Sequence, residues 1–364
     1  MNIYFDNIAF SIQKVGGVSA VWAELLKSVP HKYVKGYLEY PGNHNIFRHE
    51  MSLLEQKIIC KSCFNVKLEK QFDIRIKDNE KFIFHSSSYR LCTSRNALNV
   101  VTVHDFIDHY YNKFFLKRQL KKIRQKHCIS KADAVICVSD NTKQDLLKIF
   151  PKVANEEKIY VIHNGKSEEF RLDKSDLSIH FPEIQSTEYV LFVGSRSGYK
   201  NFYILIKAIA LYKTKKLVFV GGGNLKKNEK QLLDSALGTD NYFHYQGLPN
   251  SALNLLYNHA FCFVYPSLYE GFGIPVIEAQ SAGCPVIAVN TSSIPEIVGD
   301  SAILLDDITP PAIYNSFFRL EDTTFRQYII GKGFNNAKKY TWDIMAQAYM
   351  DVYRLVWNRN KLSK

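Results

Sequence analysis

The 364-residue sequence has no long apolar run, since its longest, such as residues 189–193, fall far below the ~20 residues of a membrane-spanning helix. This excludes a helical integral membrane protein. No basic region precedes the first apolar run, so we expect no secretory signal peptide and a cytoplasmic location. Core-forming residues are not scarce, because 46% of the chain is hydrophobic and 13% aromatic, which excludes intrinsic disorder.

The sequence also lacks a second Cys-x-x-Cys pair and has fewer acidic than basic residues, and both features limit the ligands and partners it can have. Cys60 and Cys63 form a Cys-x-x-Cys pair without a second pair, and a zinc site would need two more ligands, so we expect no metal. Acidic residues number 35 against 47 basic ones, and the net charge of +12 fits nucleic acid, an anionic membrane surface or an anionic substrate. Because the usual nucleic-acid-binding signatures are missing, we expect no nucleic-acid partner.

What the sequence does contain is a repeated alternation of short apolar strands and helical patterns. Many strand candidates are apolar on both faces, which is typical of a parallel sheet covered by helices. The predicted fold class is therefore α/β, with doubly wound, Rossmann-like domains. The polar segment 165–188 indicates a linker, and we predict domains over 1–170 and 171–344. Two such domains leave a cleft, and ligands bind where the strands end.

Two loops of the first half carry polar chemistry. Gly16 and Gly17 precede a helix whose N-terminus offers free N–H groups to an anion, although an ordinary tight turn fits equally well. His104 and Asp105 follow the strand 100–103 directly. A histidine there can bind a phosphate or a sugar hydroxyl, or act as acid or base; a hydrogen-bonded structural histidine is the equal alternative.

A loop in the second half combines two cations with two glycines. Arg196 and Lys200 follow Gly194 at the end of the strand 189–193. Arginine binds phosphate as a fork and lysine as a point charge, so the pair suits a diphosphate better than a solvated turn. Three glycines at 221–223 follow the next strand and permit close backbone approach to a ligand, as a simple turn would.

The most informative segment reads EGFGIPVIE, over residues 270–278. It places Glu270 in a glycine-containing loop and Glu278 in the first turn of the helix that follows. The backbone N–H groups of Phe272, Gly273 and Ile274 would point at an anion. Two carboxylates beside an anion site make sense as acceptors for sugar and ribose hydroxyls. The residues therefore predict a site for a nucleotide with a sugar attached.

This segment resembles the Glu-x7-Glu motif of the retaining glycosyltransferases of family 4. The resemblance covers nearly the whole chain. It includes GGV at 16–18, TVHD at 102–105, ADAVICVSDNT at 132–142, IHNG at 162–165, FVGSRSGYKN at 192–201, the glycines at 221–223 and the stretch GCPVIAVNTSSIPEIVGDSAILLD at 283–306. It implies the two-domain GT-B fold, with a C-terminal helix at 345–364 crossing back onto the first domain.

The resemblance also implies roles. Glu270 is expected to bind donor-sugar hydroxyls, Glu278 the ribose, Arg196 and Lys200 the diphosphate, and His104 the region of the transferred sugar. Many members place the lysine five residues after the arginine, whereas here it is four. Expected catalytic residues are Glu270, His104, Arg196 and Lys200. Expected donor-binding residues are Gly16, Gly17, Gly194, Arg196, Lys200, Gly247, Leu248, Glu270, Phe272, Gly273, Ile274 and Glu278.

The implied reaction is metal-independent hexose transfer with retention, because the chain has no Asp-x-Asp motif and two cations can replace a divalent ion. GDP-mannose is the first expected donor and a UDP-sugar the second. The acceptor is a saccharide or a polyprenyl-diphosphate-linked sugar, as in O-antigen or capsule assembly. A sugar-nucleotide epimerase and a non-catalytic sugar-nucleotide-binding protein are the alternatives. Expected acceptor-binding residues are His85, Ser86, Tyr89, Arg90, His104 and Asp105.

A basic segment at 110–126 predicts attachment to the inner face of the cytoplasmic membrane. Its cations, from Lys113 to Lys126, are interrupted by no acid. Leu116, Leu120, Ile123 and His127 recur at helical spacing, so we expect them to face the N-domain while Phe114 and Phe115 enter the lipid interface. A solvated basic helix is the alternative.

Overall fold

The computed structural model describes residues 1–111, 114–184, 187–196 and 198–359. The chain divides into two compact units: unit 1, Met1–Gly165 with Trp342–Lys364, and unit 2, Lys166–Thr341. The sequence predicts this boundary at 170/171 and the returning helix at 345. Three parts of the predictions lie outside the described residues: Lys113 of the basic segment, Ser197 of the cation loop and residues 360–364 of the terminal helix.

Within its described residues, unit 1 holds a seven-stranded parallel sheet in the order β3-β2-β1-β4-β5-β6-β7. Its central strands are buried on both faces, which explains their continuous apolar runs. The order reverses between β1 and β4, and such a switch point is where doubly wound sheets bind ligands. The strands are β1 Ile3–Asp6, β2 Val34–Glu39, β3 Ile58–Cys60, β4 Phe82–Ser86, β5 Ala97–Val103, β6 Ala134–Cys137 and β7 Ile159–Val161.

Helices cover this sheet. The longest of its first seven is α6, and α2 begins at Gly17 directly after the paired glycines. They are α1 Ile8–Ile12, α2 Gly17–Ser28, α3 Ile46–His49, α4 Val66–Glu69, α5 Ile107–Tyr111, α6 Phe115–Lys131 and α7 Asp140–Ile149. Short 3-10 turns occupy His31–Tyr33, Glu55–Lys57 and Glu156–Lys158.

Unit 2 contains a six-stranded parallel sheet in the order β10-β9-β8-β11-β12-β13, counted over its described residues. The order reverses between β8 and β11, so the loops after these two strands flank the switch point. Buried apolar clusters lie on both faces of the sheet. The strands are β8 Tyr189–Val193, β9 Lys216–Val220, β10 Tyr242–Tyr245, β11 Cys262–Tyr265, β12 Val286–Val289 and β13 Ile303–Leu305.

The helices of unit 2 alternate with its strands, as right-handed crossovers require. They are α8 Phe202–Tyr212, α9 Lys227–Leu237, α10 Asn250–His259, α11 Ile274–Ser281, α12 Ile294–Val298, α13 Pro310–Glu321 and α14 Thr323–Ala337. Further 3-10 turns lie at Leu177–Ile179, Pro182–Ile184 and Gly198–Lys200. Two Rossmann-like parallel-sheet units confirm the predicted fold class.

The last helix, α15 at Trp342–Arg359, belongs to unit 1 and packs against α2. Its buried face meets the sheet through a polar network. His85 Nδ1 lies 2.6 Å from the Tyr353 hydroxyl, and His85 Nε2 lies 3.0 Å from Thr102 Oγ1. Thr102 Oγ1 also lies 3.2 Å from the Tyr349 hydroxyl. The predicted acceptor residue His85 is therefore a fully buried link between β4 and α15, and it is not placed to touch an acceptor.

This buried histidine predicts an acid-sensitive fold. Burial, with a smaller effect of His104, lowers the pKa of His85 to about 3 from 6.5. Its neutral form therefore contributes stability above pH 6.5 that is lost progressively as the pH falls towards 3, because the unfolded state binds the proton more tightly. Each unit of pKa difference between the folded and unfolded states corresponds to about 1.4 kcal/mol, so the loss of folding free energy reaches a few kcal/mol. Urea titrations between pH 7 and 5 measure it, and His85→Gln should flatten the decline.

Helix α6 contradicts the expected orientation of its apolar residues. Leu116, Leu120 and Ile123 are 71%, 56% and 65% exposed, so they face solvent and not the core of unit 1. The buried face is formed by Gln125, Cys128 and Ile129. Because His127 binds the Asp73 carboxylate at 2.7 Å, a polar anchor sets the rotation of the helix. None of the helices in the described ranges is long and apolar enough to cross a bilayer.

Candidate functional site

The loops after β8 and β11 bring Lys200 and Glu270 together at the switch point of unit 2. Both sequence-predicted side chains are nearly buried, 10% and 14% exposed, and they form an ion pair. Lys200 Nζ also lies 3.3 Å from the Tyr265 hydroxyl. A lysine and a carboxylate paired in this way present a cation for an anionic group and an acceptor for hydroxyl groups, once a ligand separates them.

The loop that carries Glu270 is fixed by its neighbours. The Glu270 N–H donates to Ser292 Oγ at 2.9 Å, and Ser293 Oγ donates to the carbonyls of Glu270 and Phe272 at 3.0 and 2.8 Å. Gly273 ends the loop at a φ of 111°, and a Cβ there would lie 2.7 Å from Ile294 Cδ1. Only glycine fits this start of α11 without strain. Ile274 opens the helix, as predicted.

Glu278 lies on α11, beyond its first turn. Its carboxyl accepts from the Tyr257 hydroxyl at 3.5 Å. Burial raises the pKa of Glu278 to about 8, against that hydrogen bond and the charge of Lys166. The Glu278 carboxyl is therefore mainly neutral at pH 7, and it can both donate and accept a hydrogen bond. That chemistry matches a pair of ribose hydroxyls better than it matches a cation.

Arg196 lies in a different environment from the one expected. Its Nε and Nη2 bind the Glu229 carboxylate at 3.2 and 3.3 Å, and its Nη1 donates to the Gly221 carbonyl at 2.8 Å. Nη2 also donates to the carbonyls of Gly223 and Asn224 at 3.0 and 3.1 Å. All three guanidinium nitrogens are thus occupied inside unit 2, in contrast to the predicted diphosphate contact. Arg196 instead organises the glycine loop after β9.

The remaining donor-binding candidates are divided between the units. Gly194 and Gly247, after β8 and β10, have φ values of 135° and 63°, and Leu248 packs partly against the core of unit 2. Phe272 is buried with its ring 5.6 Å from Tyr340, so only its backbone remains as a donor-binding group. In unit 1, Gly16 is the N-cap of α2 and Gly17 its first residue.

Unit 1 has its own cavity of about 470 Å³, where β4 and β5 end. Tyr89, His104 and Asp105, three of the predicted acceptor residues, line it. Burial raises the pKa of Tyr89 and lowers the pKa of His104 to about 4. His104 is therefore neutral at pH 7 and can donate from one ring nitrogen while accepting at the other. Ser87 and Ser88 also line this cavity, although the Ser87 hydroxyl already donates to the Asp6 carbonyl at 2.8 Å and accepts from the Ala9 N–H at 2.9 Å.

Two predicted acceptor residues are used for structure instead. Arg90 is fully buried, and its guanidinium binds Asp6 at 3.2 Å and Glu69 at 3.0 Å. Ser86 Oγ donates to the same Asp6 carboxylate at 2.7 Å. Buried charges require such partners, so this network explains why a cation follows β4. Like His85, Arg90 and Ser86 are corrections to the expected acceptor set.

Four cations of the cavity are not among the predicted acceptor residues, because they lie on or after helices and not in loops that follow strands. Lys70 follows α4, whereas Lys117, Lys121 and Arg124 share one face of α6. Lys117, Lys121 and Arg124 belong to the basic segment at 110–126, which predicts a membrane contact, whereas Lys70 lies outside it. Their spacing of four and three residues places all three on one side of the helix.

Comparison with known families identifies the chain. The family model described as "Glycosyl transferases group 1" matches residues 173–313 in unit 2. The model described as "Glycosyltransferase Family 4" matches residues 69–169, mostly in unit 1. The chain is a family 4 glycosyltransferase of the GT-B fold. This confirms the resemblance drawn from the Glu-x7-Glu segment.

Curated relatives of this glycosyltransferase are distant. It is 26% identical to the O-antigen chain mannosyltransferase B of Escherichia coli, over 77% of this chain and 76% of the relative. It is 24% identical to the O-antigen chain mannosyltransferase RfbU of Salmonella typhimurium, over 71% and 73% of the two chains.

Solved structures agree with the fold. A sucrose-phosphate synthase from Thermosynechococcus elongatus superposes with a TM-score of 0.76 at 17% identity, over 99% of this chain and 100% of the other. Anabaena HepE in complex with UDP gives a TM-score of 0.73 at 15% identity, over 96% and 99%. At these sequence identities, the structural similarity establishes only that the glycosyltransferase has the GT-B fold.

Proposed function

We propose that this glycosyltransferase retains anomeric configuration and moves a hexose from a nucleoside-diphosphate sugar to a saccharide acceptor. The observation that carries the proposal is the Lys200–Glu270 pair at the switch point of unit 2. GDP-mannose is the first donor, supported by the names of two relatives, and a UDP-sugar is the second, supported by the UDP of HepE. The same names support an acceptor in polysaccharide assembly, free or polyprenyl-diphosphate-linked.

The chemistry follows from separating the pair. Lys200 binds the donor diphosphate, and Glu270 accepts hydrogen bonds from the sugar hydroxyls. As the C1–O bond breaks, negative charge grows on the departing phosphate, where Lys200 and the N-terminus of α11 stabilise it. The acceptor oxygen bonds to C1 from the face that the phosphate leaves, and the phosphate takes the acceptor proton. Configuration is thereby retained.

We propose that this transfer needs no metal. Lys200 supplies the positive charge that a divalent ion would otherwise bring to the leaving group. Arg196 adds little, since Glu229 and three carbonyls already occupy it.

The experiment incubates the protein with GDP-mannose or UDP-hexoses and a saccharide acceptor, with and without EDTA. GDP and UDP are compared in parallel by thermal shift, since a ligand that binds only the folded state raises the melting temperature. Acceptor-dependent, EDTA-insensitive product with the donor's configuration supports the proposal. A new sugar nucleotide formed without acceptor would indicate an epimerase, and nucleotide binding without product would indicate a non-catalytic protein.

We also propose that α6 attaches unit 1 to an anionic membrane surface. Leu116, Leu120 and Ile123 form an exposed apolar row, and Phe114 and Phe115 at the start of the helix are 67% and 64% exposed. Arg118, Lys122 and Lys126 accompany the row on the same helix. An exposed apolar row flanked by cations is the pattern of helices that lie in a lipid interface. The exposed row is stronger support than the basic composition alone.

Co-sedimentation with anionic liposomes tests this attachment. The triple variant Arg118→Glu, Lys122→Glu, Lys126→Glu should lose most of its liposome binding, since each cation contributes about 1 kcal/mol. Its transfer to a water-soluble acceptor should stay near the wild-type rate. The matched control changes Lys32, Lys148 and Lys152 to Glu, away from α6. Equal binding by both variants would contradict the proposal.

A further inference from the structure

The cavity of unit 1 carries more positive charge than its own acids neutralise. Four cations line it, Lys70, Lys117, Lys121 and Arg124, against two carboxylates, Asp105 and Asp108. Every residue that lines the cavity belongs to unit 1.

Two of these cations already have anionic partners. Lys121 Nζ lies 2.5 Å from Asp108 Oδ2, and Arg124 forms an ion pair with Asp73. Arg124 Nε also donates to the Tyr89 carbonyl at 2.8 Å. These contacts fix α6 against α5, Tyr89 and Asp73, and they leave Lys117 as the one cavity lysine of α6 without a carboxylate partner in the described ranges.

The other two cations are not paired with a carboxylate. In the described ranges, neither Lys70 nor Lys117 forms a salt bridge, and Lys117 Nζ lies only over the Phe114 ring, 4.9 Å from its centroid. Burial, followed by the charges of Lys121 and Lys67, lowers the pKa of Lys70 against a smaller opposing effect of Asp108. A half-buried ammonium facing like charges is stabilised by an anion in the same cavity.

The rest of the lining suits a sugar. Ser88 and neutral His104 offer donors and acceptors. Gln13 Oε1 is buried in the wall without a hydrogen-bond partner among the described residues, so it is free to accept from a ligand hydroxyl. The volume of about 470 Å³ falls within the usual range for small-molecule pockets, about 300–1,000 Å³.

We propose that this cavity binds a sugar phosphate or diphosphate, with Lys70 and Lys117 as the phosphate ligands. The inference rests on the proposed function, because it makes the anionic sugar the acceptor of the transfer. Lysines bind phosphate as point charges, so two of them match a group that carries two negative charges. Lys121 and Arg124 hold the cavity wall in place, and Gln13 and His104 face the sugar.

Steady-state kinetics test the assignment with two acceptors that share one sugar, a sugar phosphate and the corresponding methyl glycoside. Lys70→Gln and Lys117→Gln should each raise the KM for the sugar phosphate about tenfold or more, the loss of one charge-assisted contact. The KM for the methyl glycoside and for the donor should stay unchanged. Lys70→Arg should restore most of the loss. The control is Lys67→Gln, which removes a neighbouring exposed charge outside the cavity.

Calorimetry with inorganic pyrophosphate reads the site without any transfer, so it remains informative if the proposed reaction fails. Pyrophosphate binding should weaken in Lys70→Gln, Lys117→Gln and persist in Lys200→Gln. Loss in Lys200→Gln alone would overturn the site in unit 1. The lysine variants could instead keep pyrophosphate binding and lose only binding to phosphatidylglycerol vesicles. That result would mean that the two lysines contact the lipid surface, and it would also overturn the proposed phosphate site.

Discussion

Glu270→Gln is expected to lower transfer about a hundredfold or more, while the affinity for a free nucleoside diphosphate stays the same or increases. Glutamine keeps the shape of the side chain but loses the charge that accepts hydrogen bonds from the sugar. Two charge-assisted hydrogen bonds at about 1.5–3 kcal/mol each account for a loss of that size. Free diphosphate lacks the sugar, and Lys200, released from its ion pair, binds it at least as well.

Glu278 should show the opposite pattern. Glu278→Ala removes the proposed ribose contact and should weaken nucleoside diphosphate binding about tenfold. Glu278→Gln should be milder, because the pKa of about 8 means that the native group is mainly neutral at pH 7. Calorimetry with GDP and UDP measures both variants beside Glu270→Gln. Equal losses of nucleotide affinity in Glu270→Gln and Glu278→Ala would refute the division of roles.

The convergence of Lys200 and Glu270 was predictable from sequence because both follow buried strands. Parallel strands place their carboxyl ends on one edge of the sheet, so residues 70 positions apart meet there. The same reasoning located Tyr89, His104 and Asp105 at the cavity of unit 1. Loops that follow strands of a parallel sheet thus reveal a site before the fold is known.

Partners that arrive from distant segments were not predictable. His85 follows the same logic as His104, yet Tyr353 of the terminal helix, 268 residues away, covers it. Similarly, the Arg90 guanidinium donates a hydrogen bond to Asp6, which lies 84 residues away in the sequence. In both cases a polar residue after a strand was satisfied by the protein itself, and only the burial of the partner distinguishes that outcome from a ligand contact.

Helix rotation was ambiguous for a similar reason. The apolar row of α6 has the spacing of a core-facing stripe, but the stripe formed by Gln125, Cys128 and Ile129 is buried instead. Hydrogen bonds from His127 and Arg124 to Asp73 decide between the two orientations. Periodicity alone cannot weigh such contacts, since their acid lies on another element.

Arg196 can be tested for two different roles, binding a ligand or stabilising the protein from within. Glu229 is 8% exposed at its side chain, and Arg196 is 3% exposed. Although burial raises it, hydrogen bonds from Arg196 and the Lys226 N–H hold the pKa of Glu229 below its usual value. Arg196→Ala leaves this carboxylate buried without its partner. Breaking such a pair costs about 3–5 kcal/mol, so the melting temperature and the nucleotide affinity should both fall.

Glu229→Gln separates the two roles of Arg196. If Arg196 binds the diphosphate, removing the charge of Glu229 frees the guanidinium, and nucleotide affinity stays or increases. If Arg196 supports the loop 221–224, the weakened pair loosens that loop, and Glu229→Gln reduces affinity in the same direction as Arg196→Lys.

We expect the second result, about tenfold, because a Cβ at Gly222 would lie 2.5 Å from Arg196 Nη1 and the loop is built around this side chain. The matched control is Glu188→Gln, which removes the charge of an exposed carboxylate that pairs with the buried Lys215. Lys215 keeps its second partner, Glu321, at 3.2 Å, so nucleotide affinity should stay unchanged. Tighter nucleotide binding by Glu229→Gln would instead indicate that Arg196 binds the diphosphate.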